Sequence, residues 1–261
     1  MPAILKTNAY QIAQFGYWKL RGYQKAKGYY LSENVTSWWR TRRAFREMKG
    51  PGTIRLNLLK DRPFVFYPLH TEPEAALQGL SPEYTFQLET ILRIARVLPA
   101  GVILAIKDTQ PALGRRPNDF YGQIRDLKNV VFLNIEERGV DVVSACTAVA
   151  TITGTAGFEA AISGKPVISF AAHNQYNILP HVHLVTDLAT LETAMDAALN
   201  RHDAVRAAAD GARFLEAIKK ESFDLGGFDF MNPEVVNETM IDEISAGLIA
   251  SIAGSEPSLA A

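Results

Sequence analysis

The sequence predicts an α/β protein, a Rossmann-like parallel sheet flanked by helices, with a helical N-terminal arm and C-terminal helices. Three observations lead there. From residue 64 onward, short apolar runs alternate with stretches of helical periodicity. Those runs are apolar on both faces, as strands are when helices cover both sides of a parallel sheet. A breaker cluster, Gly50-Pro51-Gly52, separates this rhythm from a basic, aromatic leading segment.

Residues 8–30 read as a loose amphipathic helix, with Ile12, Phe15, Trp18 and Leu20 near helical spacing, and residues 35–48 as a second helix ended by the breaker cluster. "FVFYP" (64–68) is the first strand. Ser81 and Pro82 predict a helix start, Ser as N-cap and Pro at the first helical position, with Phe86, Leu88, Ile91, Leu92, Ala95 and Leu98 as its apolar face. Strands follow at 102–107, 130–134, 148–153, 166–170 and 183–186. Helices are expected at 118–127, 139–147, 156–163, about 188–200, 203–221 and 233–253. The divisions expected are an arm (1–61), a Rossmann-like domain (62–200) and C-terminal helices with a tail (201–261).

The chain has 261 residues, a hydrophobic content of 48% and a charged content of 21%, which suit a globular protein with a sizeable core. The lone Cys146 cannot form an intrachain disulfide, no secretory h-region opens the chain, and no run approaches a membrane span. The expected location is cytoplasmic, with peripheral contact at the inner membrane. The net charge of −1 hides an asymmetry: residues 1–62 carry 13 Lys and Arg against 3 acids, a net of +10, so the remainder carries −11. Ten aromatics stand in the same basic segment. It can pack on the acidic domain, bind an anionic leaflet through Trp and Tyr at headgroup level, or hold an acidic glycan. No nucleic-acid module is present.

Three loops at strand ends could carry chemistry. In "TGTAGFEAAISGKPVISF" (153–170), Gly154, Thr155, Ala156 and Gly157 lie between a strand and a helix. Small residues admit a ligand close to the backbone, and unpaired helix-start amides favour an anion. Glu159, expected within the first turn, suits a ribose diol. The plainer account is a tight turn with Thr155 as N-cap. Lys107 ends a strand at its carboxyl edge, where a phosphate would lie or where an ordinary lysine would stand. "LHTEPEA" places His70, Glu72 and Glu74 after the first strand, as acid–base groups or as solvated loop residues. His181 and His183, with His173 upstream, could share a strand face around a metal, but no supporting Cys or carboxylate spacing is present. "FDLGGFDF" (223–230) matches no calcium loop and reads as a turn.

The segments "FVFYPLHTEPEAAL", "LPAGVILAIKDTQP", "LKNVVFLN" and "TITGTAGFEAAISGKPVISF", in that order, resemble the capsule polysaccharide biosynthesis proteins, the family that includes the capsular Kdo transferases. The resemblance covers roughly 62–172 and implies the donor half of a GT-B glycosyltransferase. By it, Gly154, Thr155, Ala156 and Gly157 would meet the donor phosphate, Glu159 the nucleoside, and Lys107 the phosphate again. It implies a nucleotide-sugar donor such as CMP-Kdo, a glycan or lipid-linked acceptor, and no cofactor or metal. Two departures stand out. The family's Lys-Glu-His-Pro is here Lys107-Asp108-Thr109-Gln110-Pro111, so Gln110 stands near the place of the phosphate-contacting histidine. Gln donates a hydrogen bond but carries no charge or transferable proton. The arm is also too short to be a second Rossmann domain. A truncated gene, a partner chain supplying that half, or a non-catalytic nucleotide-sugar-binding or scaffold protein would each account for this. If the chain transfers sugar alone, His70 and then Glu74 are the candidate bases.

Overall fold

The apolar runs assemble into one six-stranded sheet: β1 Phe64–Pro68, β2 Ile103–Lys107, β3 Val130–Phe132, β4 Ala148–Thr151, β5 Val167–Ser169 and β6 Val182–Leu184. Every neighbouring pair is parallel, and the order is β3-β2-β1-β4-β5-β6. This is the Rossmann-like order, in which the chain reverses direction between β1 and β4. The computed structural model describes residues 9–10, 13–14, 16–18, 20–22, 31–72, 75–117, 119–220, 222 and 237–254. Glu74 and the 223–230 segment lie outside them, as does part of the helix expected over 8–30.

The helices are α1 Leu31–Lys49, α2 Ala75–Leu80, α3 Gln87–Val97, α4 Phe120–Arg125, α5 Gly139–Ala145, α6 Thr155–Ile162, α7 Leu191–Asn200, α8 Ala204–Lys220 and α9 Glu238–Gly254. Strand alternation sorts them into two layers. Val65, Tyr67, Leu104 and Ile106 meet α1, α3, α4 and α7 in one core, which includes Met48, Ile91, Ile124 and Met195. Phe64, Phe66, Ala105 and Val149 meet α5 and α6 in the other, with Val142, Ala160 and Ala161. Both faces of the sheet are therefore covered, which is why its strands read as unbroken apolar runs.

The arm's last helix belongs to this packing. Ala44 and Met48 of α1 are buried in the first core. Thr41 donates to Leu113 O at 3.1 Å, and Gly114 admits the helix so closely that a Cβ there would stand 2.5 Å from Thr41 N. Lys49 and Arg55 pair with Glu136 (2.5 and 3.1 Å) and Arg125 with Glu47 (2.5 Å). On the other layer α8 packs on α6, with Phe158 and Phe214 in contact and Gly211 against the Ala161 and Ile162 carbonyls.

Local expectations change in four places. Ser81 and Pro82 open a 3-10 turn (Pro82–Tyr84), not the α-helix, and the Ser81 hydroxyl caps nothing. α3 starts at Gln87, after Phe86, whose ring is 82% exposed instead of part of the apolar face. Cys146 is the extended C-cap of α5; it is buried, and desolvation pushes its thiol pKa up to about 12. The helix α2 after β1 carries no periodic signal long enough to predict it.

Candidate functional site

Because every strand runs the same way, the loops after β1, β2 and β4 emerge at one edge of the sheet, on both sides of the reversal point. Ligands in open α/β sheets bind in that crevice. β4 ends at Thr151, whose hydroxyl donates to Thr153 O at 2.5 Å and tightens the exit. Gly154 follows with φ 100° and ψ 173°, a conformation open essentially to glycine. It is the N-cap of α6, so the Thr155 N-cap expected from the sequence gives way to a glycine with no capping side chain. The opening amides of Thr155, Ala156 and Gly157 thus receive no side-chain oxygen, and Gly154 and Thr155 are exposed.

Gly157 is glycine for a different reason. It is buried, and a Cβ there would lie 2.7 Å from Thr151 Cγ2 and closer still to the Tyr176 hydroxyl. Its small size lets α6 seat against β4 and Tyr176. Glu159 is the fifth residue of α6, one residue further in than expected and so just past the first turn, on the same helix face as Thr155. It is half-buried, and among the described residues no ion pair or side-chain hydrogen bond holds its carboxylate.

Lys107 ends β2 on the sheet face that carries α6, its Nζ donating to Asp108 O at 3.3 Å. Burial lowers its pKa, and the charges of Asp108 and Glu137 work against that shift. A half-desolvated cation of this kind is a ready partner for a phosphate. Gln110, itself exposed, opens a 3-10 turn, Gln110–Ala112, in the same loop.

His70 is 8% exposed and sits between the β1 and β4 loops. Its backbone N–H donates to Gln87 Oε1 (2.7 Å) and its carbonyl accepts from Gln87 Nε2 (3.0 Å). Its Nε2 is 2.6 Å from Thr153 O. The Thr153 N–H also faces Nε2 (3.2 Å) and Nδ1 lies 3.3 Å from Gln87 Oε1, so both ring nitrogens are engaged and the histidine is tied to the turn that leads into α6.

Beside it lies a group that the spacing of its residues does not reveal. Asp108, fully buried, accepts from Arg116 twice (2.7 and 3.3 Å), from Tyr121 Oη (2.6 Å) and from Thr109 N (2.7 Å). Burial opposes the Arg116 charge, yet Asp108, with Glu72 behind it, leaves its pKa raised. Arg116 Nη1 stands 3.6 Å from Glu72 Oε2, and Glu72 accepts from Gln87 Nε2. The chain Asp108–Arg116–Glu72–Gln87–His70–Thr153 therefore links the loops after β2, β1 and β4. Arg116 and Gln87 come from residues 8 and 17 positions away from their partners, so no local motif marks them.

His181 and His183 line one cavity, with His202. His181 is buried, with Nε2 2.8 Å from Ala161 O, while His183 lies at the edge strand β6. Among the described residues no group of three His, Cys, Asp or Glu side chains is arranged to hold a metal.

The sequence profile of the capsule polysaccharide biosynthesis proteins matches residues 2–179, which spans the arm, the site loops and five strands. The chain belongs to the capsule polysaccharide biosynthesis protein family. No curated protein matches it. Among solved structures it is similar to the beta Kdo 2,7 transferase KpsC of Thermosulfurimonas dismutans, with 19% identity and a TM-score of 0.39 over 69% of this chain and 52% of that one. It is also similar to the UDP-GlcNAc 2-epimerase of Methanocaldococcus jannaschii (13% identity, TM-score 0.43, 70% and 52%) and to the glycosyltransferase SnogD from Streptomyces nogalater (15%, 0.39, 66% and 47%). This capsule-family chain thus spans about half the length of these structures. No helix among the described residues of the capsule-family chain is long and apolar enough to cross a membrane.

Proposed function

We propose that this capsule-family chain binds the nucleotide-sugar donor of a GT-B glycosyltransferase at the edge between β1 and β4. The observation that carries the reading is the side-chain-free start of α6 at the reversal point, on the same sheet face as Lys107. The donor's phosphate would take the amides of Thr155, Ala156 and Gly157, with Gly154 giving it backbone clearance. Lys107 would add charge, Gln110 a neutral hydrogen bond, and Glu159 would accept from the ribose diol. In transfer, the bond from the anomeric carbon to the phosphate oxygen breaks, and those donors stabilise the departing anion. CMP-Kdo is the donor the family resemblance favours, and a glycan or lipid-linked saccharide the acceptor.

A second reading, a donor-binding half without turnover of its own, is favoured by the ring of His70. The Nε2 that a general base would use is engaged with Thr153 O. Glu74 then remains the alternative base, and a partner chain or a further domain would supply the acceptor side. Calorimetry with CMP, UDP and CMP-Kdo tests binding. Lys107→Met and Glu159→Gln should each weaken the preferred nucleotide by about tenfold, the scale of one charge-assisted contact. Unchanged affinity in both variants overturns the site. Incubation with CMP-Kdo and lipid-linked acceptors separates the two readings: turnover lost in His70→Ala supports a complete enzyme, and binding without turnover supports the half-site.

A further inference from the structure

A cavity of about 440 Å³ lies between α1 and α4, on the opposite sheet face from α6. Its walls carry four guanidinium groups, Arg40, Arg43, Arg116 and Arg125, against two carboxylates, Glu47 and Asp119. Glu47 is neutralised by Arg125 at 2.5 Å. Arg40 touches Thr36, and neither Arg40 nor Arg43 has an acidic partner among the described residues. Buried N–H groups also go unmet there: Arg125 Nε and Nη2 have no hydrogen-bond acceptor among the described residues, and Arg116 Nη1 has only the Glu72 carboxylate, 3.6 Å away. Buried donors normally find one, so walls with several unmet point to an absent acceptor.

Arg40 and Arg43 also line a second cavity, of about 390 Å³, with Trp39, Arg42 and Arg46. Trp39 is 60% exposed, and Arg42 lies over the Trp38 ring. The two cavities share Arg40 and Arg43, which sets out a track of guanidinium groups that pair bidentately with carboxylates or phosphates, beside an indole face on which the apolar side of a sugar ring can lie. We propose that this track binds a saccharide chain bearing oxyanions. A bilayer surface would reach the exposed α1 arginines but not Arg116, whose side chain is 3% exposed within the first cavity. A single flexible strand with spaced anionic groups can enter it. The inference does not depend on the donor site.

Affinity electrophoresis of the full chain tests it, in gels holding polygalacturonate, a phosphomannan or neutral dextran. Retardation by one or both anionic polymers but not by dextran is expected, and the polymer that acts distinguishes carboxylate from phosphate. The paired variant Arg40→Glu with Arg43→Glu, at exposed positions, should weaken the interaction by about tenfold or more while leaving the thermal midpoint in place. Trp39→Ala should weaken it too. No retardation in either anionic gel, or full retardation of the arginine variant, overturns the proposal; an unchanged Trp39→Ala overturns its saccharide assignment. Co-sedimentation with phosphatidylglycerol vesicles but no retardation by glycans gives the surface to membrane instead, which also overturns it.

Discussion

Asp108 shows how one buried carboxylate organises this protein. It has no solvent contact and four protein donors, and the cation it holds, Arg116, is nearly as deep. Such a pair adds little net stability over an apolar isostere, but removing one member strands the other charge. Asp108→Ala is therefore expected to lower unfolding free energy by about 3–5 kcal/mol, read by urea denaturation. A loss below about 1 kcal/mol, the range of exposed pairs, would show that water already reaches Arg116. The same substitution frees one end of the network that ends at Thr153, so nucleotide affinity should fall with it. At this scale the sequence was least informative. Gly154 and Lys107 could be singled out because strand ends and small residues leave a local pattern. Asp108 stands in the strand-end motif after Lys107, but its pairing with Arg116 carries no local signal, because it comes from a contact the fold creates.

At the scale of elements, β6 and the start of α8 bring His181, His183 and His202 to the edge of the sheet away from the donor loops. Burial first, then His181, His202 and Arg201, lowers the His183 pKa; burial first, then His181 among other charges, lowers that of His202. Asp203 and the Gly164 backbone push His202 the other way, less strongly. The sign follows directly: the folded state resists protonation, so the unfolded chain binds more protons as pH falls through the ordinary histidine value of 6.5. Stability is thus complete above that value and declines below it. The urea midpoint should drop between pH 7.5 and about 5.5, and His183→Gln should flatten the decline. An equally steep profile in the variant would move the cause elsewhere. The elements themselves were mostly legible. β1 occupies the very residues its aromatic run suggested, and the other strands fall within a residue or two of the apolar segments, since a doubly covered strand has no polar face to blur its ends. The start of α3 misled because Ser-Pro is a good opening for a 3-10 turn as well as for an α-helix. The order of the strands is absent from any single segment, because pairing is decided between them.

For the whole molecule, the main question is whether the basic arm is attached by charge or by packing. The basic partners of its ion pairs to Glu136 and Glu137 are half exposed, and such pairs are worth about 0–1 kcal/mol each. Met48 is fully buried, and emptying such a site costs about 2–5 kcal/mol. Packing wins. Met48→Ala should therefore lower the unfolding free energy by that amount, while raising sodium chloride to 1 M shifts the midpoint little; the reverse pattern would make the arm an electrostatic attachment. A chain starting at Asp61 should unfold at lower denaturant than the full one. The central strand also sets a timetable. β1 pairs with β2 through Phe64 and Ile103, but its other neighbour is β4, through Val65 and Ala148. At about 5–20 residues added per second, a ribosome needs roughly 4–17 s to go from Val65 to its β4 partner Ala148, 83 residues on. Throughout that interval the inner margin of β1, one of the most apolar strands in the protein, is bare in the nascent chain. It is then an open template for another polypeptide, and a chaperone holding the emerging half-sheet would act during just those seconds.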